Sequence, residues 1–297
     1  PAGNSILFLQ KAKRKIRELS YNFDTDGYVA PDLTILNDIV TKSGINEMAY
    51  QQEPDSILWC VRDDGVFAGL TYQRSENVVA WHRHKLGGTF GTGASATGYG
   101  VVESVASISG ELTEDELYVI VKRTINGATK RYVEVFAPFD FDETSSTDFR
   151  FLDSHLTYSG GSTTTLSGLS HLEGQVVSIL ADGATHADKT VSSGSITLDR
   201  SVTSAVVGLK YDSVLQTMRV EGGAAQGTSQ GKIKRISKVV LRLFETVGAK
   251  VGPTLTDLET VPFRTTSSPM GQPVSTLIAG DKQVEFRDDF NSDGFIF

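Results

Sequence analysis

Apolar and polar residues alternate with a period of two along most of the chain, and turn residues interrupt the alternation at short intervals. That period belongs to half-buried strands, because successive side chains point to opposite faces of a sheet. Leu117–Thr124 reads as one strand, Asn126-Gly127 as a tight turn and Lys130–Phe136 as the returning strand. Asn-Gly suits such a turn because both central residues tolerate positive φ. A second hairpin is predicted in "CVRDDGVFAGLTY", turning on Asp64-Gly65. Residues 45–86 divide into four strands: "INEMAYQQ", "SILWCVR", "VFAGLTYQR" and "NVVAWHRHKL". One helix is predicted in "PDLTILNDIVTKSG", with Pro31 and Asp32 at its start, a stripe of Leu36, Ile39 and Val40, and Gly44 at its end.

A weak internal repeat runs through this half. A shift of 51 residues lays Ile6, Leu7 and Phe8 on Ile57, Leu58 and Trp59, Leu19 on Leu70, and Tyr21 on Tyr72. A looser third copy, "LYVIVKRTINGATKRYVEVF", begins near residue 117. Periods of about 50 residues with several strands each are those of β-propeller blades. Chance similarity among hairpins is the competing reading. Two or three blades do not close a ring, so further blades are expected upstream. The blade cut from residues 45–86 takes Trp59, Leu70, Tyr72 and Trp81 as its packing anchors.

After "FAPFDFDETSSTDFR" the composition shifts. Residues 151–230 are rich in Gly, Ser and Thr, with short strands such as "GQVVSILADG", "GSITLD" and "SAVVGLKYDS". "GGAAQGTSQGK" (222–232) reads as a loop. "KIKRISKVVLRLFETVG" alternates strongly, and "VEFRDDFNSDGFIF" reads as a last hairpin. The expected class is therefore all-β. Residues 1–150 form partial propeller blades with one short helix, 151–230 a small β-barrel or sandwich, and 231–297 a C-terminal β segment.

Composition narrows the function classes. A net charge of −8 argues against wholesale wrapping of nucleic acid, which needs excess Lys and Arg. No run of about 18 apolar residues is present, so no membrane anchor is expected. The start, "PAGNSILFLQKAKRK", lacks both the pattern of a signal peptide and an initiator Met, which points to a portion of a longer chain. The single cysteine, Cys60, lies in the apolar run "SILWCVR" and is expected to be an inert core residue.

The candidate chemistry is sparse. His82 and His84 share one strand face with Ala80, opposite Val79, Trp81 and Arg83, and two imidazoles at that spacing can bind one metal ion. A third ligand is wanting, since His155, His171 and His186 fall in the following module, so a structural place in the blade is favoured. "DDFNSDG" (288–294) matches the first half of a calcium loop, but a plain turn uses the same residues. "NFDTDG" (22–27) fails that pattern, with Leu33 at its closing position. Two basic clusters stand out, Lys11, Lys13, Arg14, Lys15 and Arg17, and then Lys232, Lys234, Arg235, Lys238 and Arg242. In the second, Lys234, Lys238 and Arg242 share a face that could meet DNA phosphate or another subunit, against the plainer reading of a solvated face. There is no phosphate-cradling Gly loop, nucleophile elbow or tell-tale His–carboxylate spacing, so no enzyme activity and no cofactor are expected.

The run "AYQQEPDSILWCVRDDGVFAGLTYQRSENVVAWHRHKLGG", followed by "VESVASI" and "LYVIVKRTINGATKRYVEVF", resembles the tail nozzle, or tail tubular B, proteins of short-tailed bacteriophages. "DGYVAPDLTIL" and "LSGLSHLEGQVVSILADG" resemble the same family, and "GLTY…VVAWHRH" is the most specific block. The resemblance implies a structural virion protein, made in the host cytoplasm. It also implies a homohexameric ring at the tail end, in contact with other tail proteins, through which DNA leaves. The chain would represent the C-terminal portion of such a protein. The alternative is a tail-associated β-module that binds a host surface glycan or another tail protein. Residues 159–210 contain no Phe, Tyr or Trp, which removes the usual aromatic platform for sugar there.

Overall fold

A computed structural model describes residues 2, 5–110, 114–138, 145–222, 227–266 and 277–297. Among these residues the chain is almost entirely antiparallel β-structure, with three short 3-10 turns and no α-helix. The first sheet contains β1 (Ile6–Leu9), β2 (Ile16–Asn22) and β3 (Gly27–Val29). The second is a four-stranded meander of β4 (Ile45–Gln51), β5 (Ile57–Arg62), β6 (Phe67–Gln73) and β7 (Val78–His84). These four strands lie within the four segments read from the alternation. The third sheet holds β8 (Val101–Ser109), β9 (Asp115–Ile125) and β10 (Ala128–Val135). Its last hairpin turns on Asn126 and Gly127 at φ 48° and 72°, the positive pair that Asn-Gly allows.

The three sheets stack in chain order, and the alternation within the second sheet explains why. Leu58, Cys60, Ala68, Leu70 and Tyr72 face the first sheet and share a core with Ile16, Leu33, Val40 and Ile45. Trp59, Val61 and Phe67 point the other way, into Val102, Val105, Leu117, Val119 and Val121 of the third sheet. A meander apolar on both faces cannot stand alone in water, and burial of each Val, Leu or Phe contributes about 1.5–3 kcal/mol. The repeat has a register offset. Ile6 pairs with Leu19, whereas Leu70 pairs with Leu58 and not with Ile57. The structural equivalent of Ile6 is therefore Leu58, one position later than the sequence shift placed it.

The helix expected over residues 31–44 does not form. Successive turns replace it, with Asn37 N–H bonding Thr34, Val40 bonding Asn37 and Gly44 bonding Thr41. Asp32 takes both the backbone N–H and the hydroxyl of Thr34, and Thr41 donates to the Arg14 carbonyl, so side chains compete with a helical ladder. The supposed stripe splits: Val40 enters the core while Leu36 is 90% exposed.

The next module is neither a closed barrel nor a sandwich. β11 (Asp153–Ser167), β12 (Val176–Ala181), β13 (Ala184–Thr190) and β14 (Ser195–Leu209) make one open sheet in the order β11-β14-β12-β13. The register of β11 against β14 slips at Ser159–Thr163 and again before Thr165. Such bulges bend a strand, and residues from both ends, Leu166 and Ile196 with Val177 and Ile179, join one core.

In the C-terminal part, β15 (Lys238–Thr246) pairs with β18 (Ile278–Glu285), and β16 (Lys250–Thr254) with β17 (Asp257–Thr260). Val251, Val261, Phe263, Val284 and Phe286 form their shared core. The last residues do not return as a hairpin on β18. Instead Ile296 and Gly294 accept from Thr217 and Val220, and Phe297 pairs with Gly252. Of the loop expected at 222–232, residues 223–226 lie outside the described set; Glu221 binds Thr228 and Ser229 across it.

Candidate functional site

His82 and His84 lie on β7 and face the third sheet. Gly69 of β6 is the register partner of both His82 and Trp59, and its missing side chain makes room for the imidazole. A Cβ at Gly69 would fall 2.1 Å from His82 Cε1. The His82 ring therefore lies across β6 against Trp59, edge to face at 5.5 Å, and His84 sits 5.3 Å from the same indole. Trp59 itself stacks on Phe67 at 4.8 Å, contacts Phe136 and donates its Nε1–H to Gln51. Trp81 faces the opposite core and donates to the Leu33 carbonyl. The tryptophan that the histidines touch is thus Trp59, two strands away across β6, and not Trp81. Leu70 and Tyr72 are buried in the core between the first and second sheets.

The two imidazoles are bonded to each other, with His82 Nδ1 2.7 Å from His84 Nε2, and Thr71 Oγ1 stands 3.4 Å from His82 Nε2. Two nitrogens on one tetrahedral zinc would stand about 3.3 Å apart, given bonds of about 2.0–2.1 Å. The observed spacing is that of a hydrogen bond, in which one ring donates to the lone pair of the other. Among the described residues no group of three His, Cys, Asp or Glu side chains converges. Burial lowers the pKa of His82, and burial together with His82 pushes His84 down to about 4. The pair is neutral at pH 7 and acts as a hydrogen-bonded aromatic plug between two sheets. Cys60, on the other face of β5, is fully buried, and burial pushes its thiol up to about 12, far from a reactive thiolate.

The basic clusters are largely committed to local partners. Arg242 forms a two-pronged ion pair with Asp281, and Lys238 lies opposite Glu285 in register. Lys234 donates to the carbonyls of Val220 and Ser229, and Arg235 to that of Asp288. Lys232 is exposed at the edge of the same loop. In the first cluster Lys15 pairs with Asp32 at 2.5 Å, Lys13 reaches Asn46 and Arg17 the Ala30 carbonyl, while Lys11 and Arg14 are exposed. The Lys15 ammonium and the Thr34 donors hold Asp32 at about 2 despite its partial burial, which acts the other way. In "DDFNSDG", Asn291 Oδ1 accepts from the N–H groups of Asp293 and Gly294, which is a turn held by its own side chain.

One cluster was not among the sequence candidates. Arg123 is wholly buried on β9, where it forms a bidentate ion pair with Glu134 of β10 and donates Nε–H to the Gly87 carbonyl at 2.7 Å. Asp153, the first residue of β11, accepts the Gly87 N–H at 2.6 Å. Burial pushes Asp153 up to about 6, against the opposing pull of that N–H and of Arg123. Gly87, Gly88 and Gly100 leave the space that Arg123 and Leu209 fill. Tyr132 donating to the His171 carbonyl and Gln175 to that of Thr124 complete the seam. This cluster joins the third sheet to the module that follows. A warning was visible in the alternation, since Arg123 continues the apolar phase of Leu117, Val119 and Val121.

Compared with known proteins, the chain matches no family model and no curated protein sequence.

Proposed function

We propose that this chain is a structural part of a bacteriophage tail, of the tail nozzle type, that works by assembly and not by chemistry. In this reading it contributes to a homohexameric ring around the DNA exit channel, in contact with other tail proteins. The observation that supports it most is the stack of three antiparallel sheets, with a four-stranded meander buried on both faces at its centre. Consecutive propeller blades would pack face to face in this way, and the resemblance of residues 49–88 and 117–136 to nozzle proteins implies such blades. The side chains that could have suggested chemistry are used otherwise: the histidines bond each other, and Cys60 is buried with a raised pKa. The acidic balance fits a wall past which DNA moves without being held.

The test is the mass and symmetry of the protein, by light scattering and negative-stain imaging. Rings with sixfold symmetry are expected. A protein that stays monomeric, or forms assemblies of other symmetry, in the full-length phage protein as well as in this chain, overturns the reading.

A further inference from the structure

We infer that the joint between the third sheet and the β11–β14 module is a latch worked by one proton, closed while the Asp153 carboxyl is protonated and loosened when it ionises. The charges enclosed at the joint do not balance. Arg123 is wholly buried and Glu134 largely so, one cation facing one anion. Asp153 brings a second carboxylate to the same enclosure, so the cluster carries no net charge only when a proton joins it. Each guanidinium nitrogen is already bonded, Nη1 and Nη2 to Glu134 and Nε to the Gly87 carbonyl. Among the described residues Asp153 accepts one hydrogen bond, from the Gly87 N–H at 2.6 Å. A carboxylate held firmly in its ionised form accepts about two or three such bonds. The other ionisable groups nearby do not restore the balance. Tyr211, just beyond β14, is a neutral phenol whose pKa is raised by burial and by Asp153. Lys210 points to Asp188, and His155, on β11 itself, turns Nδ1 to the Leu152 carbonyl.

The joint depends on this cluster because little else spans it. The Gly87 peptide is gripped from both sides, its carbonyl by Arg123 of the third sheet and its N–H by Asp153 of the module. Leu209 of β14 closes on the same glycine, where a Cβ would fall 2.8 Å from the Leu209 Cβ. Apolar packing does not share the load, since the module and the third sheet belong to separate cores. Away from Gly87 the joint rests on Tyr132 with the His171 carbonyl at 3.1 Å and Gln175 with that of Thr124 at 3.3 Å. Small polar interfaces within a chain open more readily than a shared core. The direction follows from linkage. Burial raises Asp153 from 3.8 to about 6, so the closed joint binds the proton more tightly than the open one. The stability this supplies is full below 3.8 and is lost as pH rises through 6. Between pH 5 and pH 7.5 the ratio of closed to open joint falls about tenfold.

The experiment compares wild type with Asp153→Asn and Glu134→Gln from pH 5 to pH 7.5. Hydrogen exchange over residues 85–90 is read by mass spectrometry, and small-angle X-ray scattering is recorded in the same buffers. After correction for the intrinsic pH dependence of exchange, wild type is expected to lose about tenfold in protection across that range, with a rising radius of gyration. Asp153→Asn keeps an acceptor for Gly87 without a charge, and is expected to hold both quantities constant. Glu134→Gln leaves one carboxylate for one cation, so the proton is no longer needed and the pH profile is expected to flatten. A merely structural role for Glu134 would instead lower protection equally at every pH. Should Glu134→Gln fold poorly, Asp153→Asn decides alone. Wild-type protection that runs parallel to that of Asp153→Asn, or a folded Glu134→Gln protein as pH-dependent as wild type, overturns the inference. So does a tenfold change over residues 85–90 with unchanged scattering, because the joint then stays shut. Neither readout depends on tail assembly, so the latch and the nozzle reading stand or fall separately.

Discussion

Replacing His84 by Gln tests whether the buried imidazole pair makes the second sheet sensitive to acid. His84 is held at about 4 by burial and by His82, against about 6.5 in an unfolded chain. A histidine with a depressed folded pKa takes its proton more readily when unfolded. Its contribution to stability is therefore full above 6.5 and is lost as pH falls towards 4. Between pH 7 and pH 5 this one group removes about 1.8 kcal/mol from the stability of wild type. At a urea slope of about 3 kcal/mol/M, that is a shift of about 0.6 M in the midpoint. Glutamine keeps an amide able to meet His82 and removes the titration. The two tryptophans both lie in the second sheet and Trp59 touches His84, so tryptophan emission reports the unfolding of that sheet. Asp153 titrates near 6 with the opposite sign: the stability its raised pKa contributes is present below 3.8 and lost as pH rises through 6. It is present in both proteins and cancels in the difference, while Asp32 and Glu103, both held near 2 by cationic partners, titrate below the window. Midpoints of wild type and variant that run parallel from pH 7 to pH 5 would refute the reasoning.

Three further outcomes are expected. Gly69→Ala forces the His82 ring off Trp59, because no Cβ fits at 2.1 Å from Cε1; a loss of about 1–3 kcal/mol in urea unfolding, with a shifted tryptophan emission, is the expected reading, and a silent substitution contradicts it. Asp153→Asn removes a carboxylate that burial disfavours and keeps an acceptor for the Gly87 N–H; thermal melts should show a variant stabilised relative to wild type at pH 7.5, an advantage that shrinks by pH 4.5, and a constant difference would count against it. Cys60 should resist a thiol reagent at pH 8 in the folded protein and react at once in denaturant, since its thiol is buried with a pKa near 12; stoichiometric labelling of the native protein would be the contrary result.

The second sheet could be read strand by strand because its apolar residues carry two kinds of information at once. Short apolar runs such as Ile57–Val61 and Phe67–Leu70 locate the strands, and turn residues such as Asp64-Gly65 separate them. The helix at 31–44 failed for a physical reason of the same kind. Leu36, Ile39 and Val40 have helical spacing, but Asp32 and Thr41 satisfy backbone groups with their side chains, and Leu36 is left 90% exposed. Spacing records where a helix would place its apolar face and says nothing about whether a core is there to receive it. The open sheet of β11–β14 was hidden differently. Closure of a barrel depends on which strands end as edges, and the pairing order that leaves β11 and β13 at the edges leaves no mark in composition.

The buried polar residues follow one rule that the alternation already contains. Glu18 shares the inward phase of Ile16, and Arg123 that of Val119 and Val121. Each is nearly inaccessible, and each is bound to groups on other segments, Glu18 to the Ser5 hydroxyl and Arg74, Arg123 to Gly87 and Glu134. A charge on the apolar phase of a strand cannot be left unpaired, since an uncompensated buried ion costs several kcal/mol. Its position therefore states that a partner exists, though not which one. His82 and His84 obey the same logic from the other side. Their shared face was legible from their spacing, but their partner was not, because the space they occupy is created by Gly69 on the adjacent strand. Spacing already favoured a structural place over a metal there; the absence of a side chain one strand away decided for Trp59.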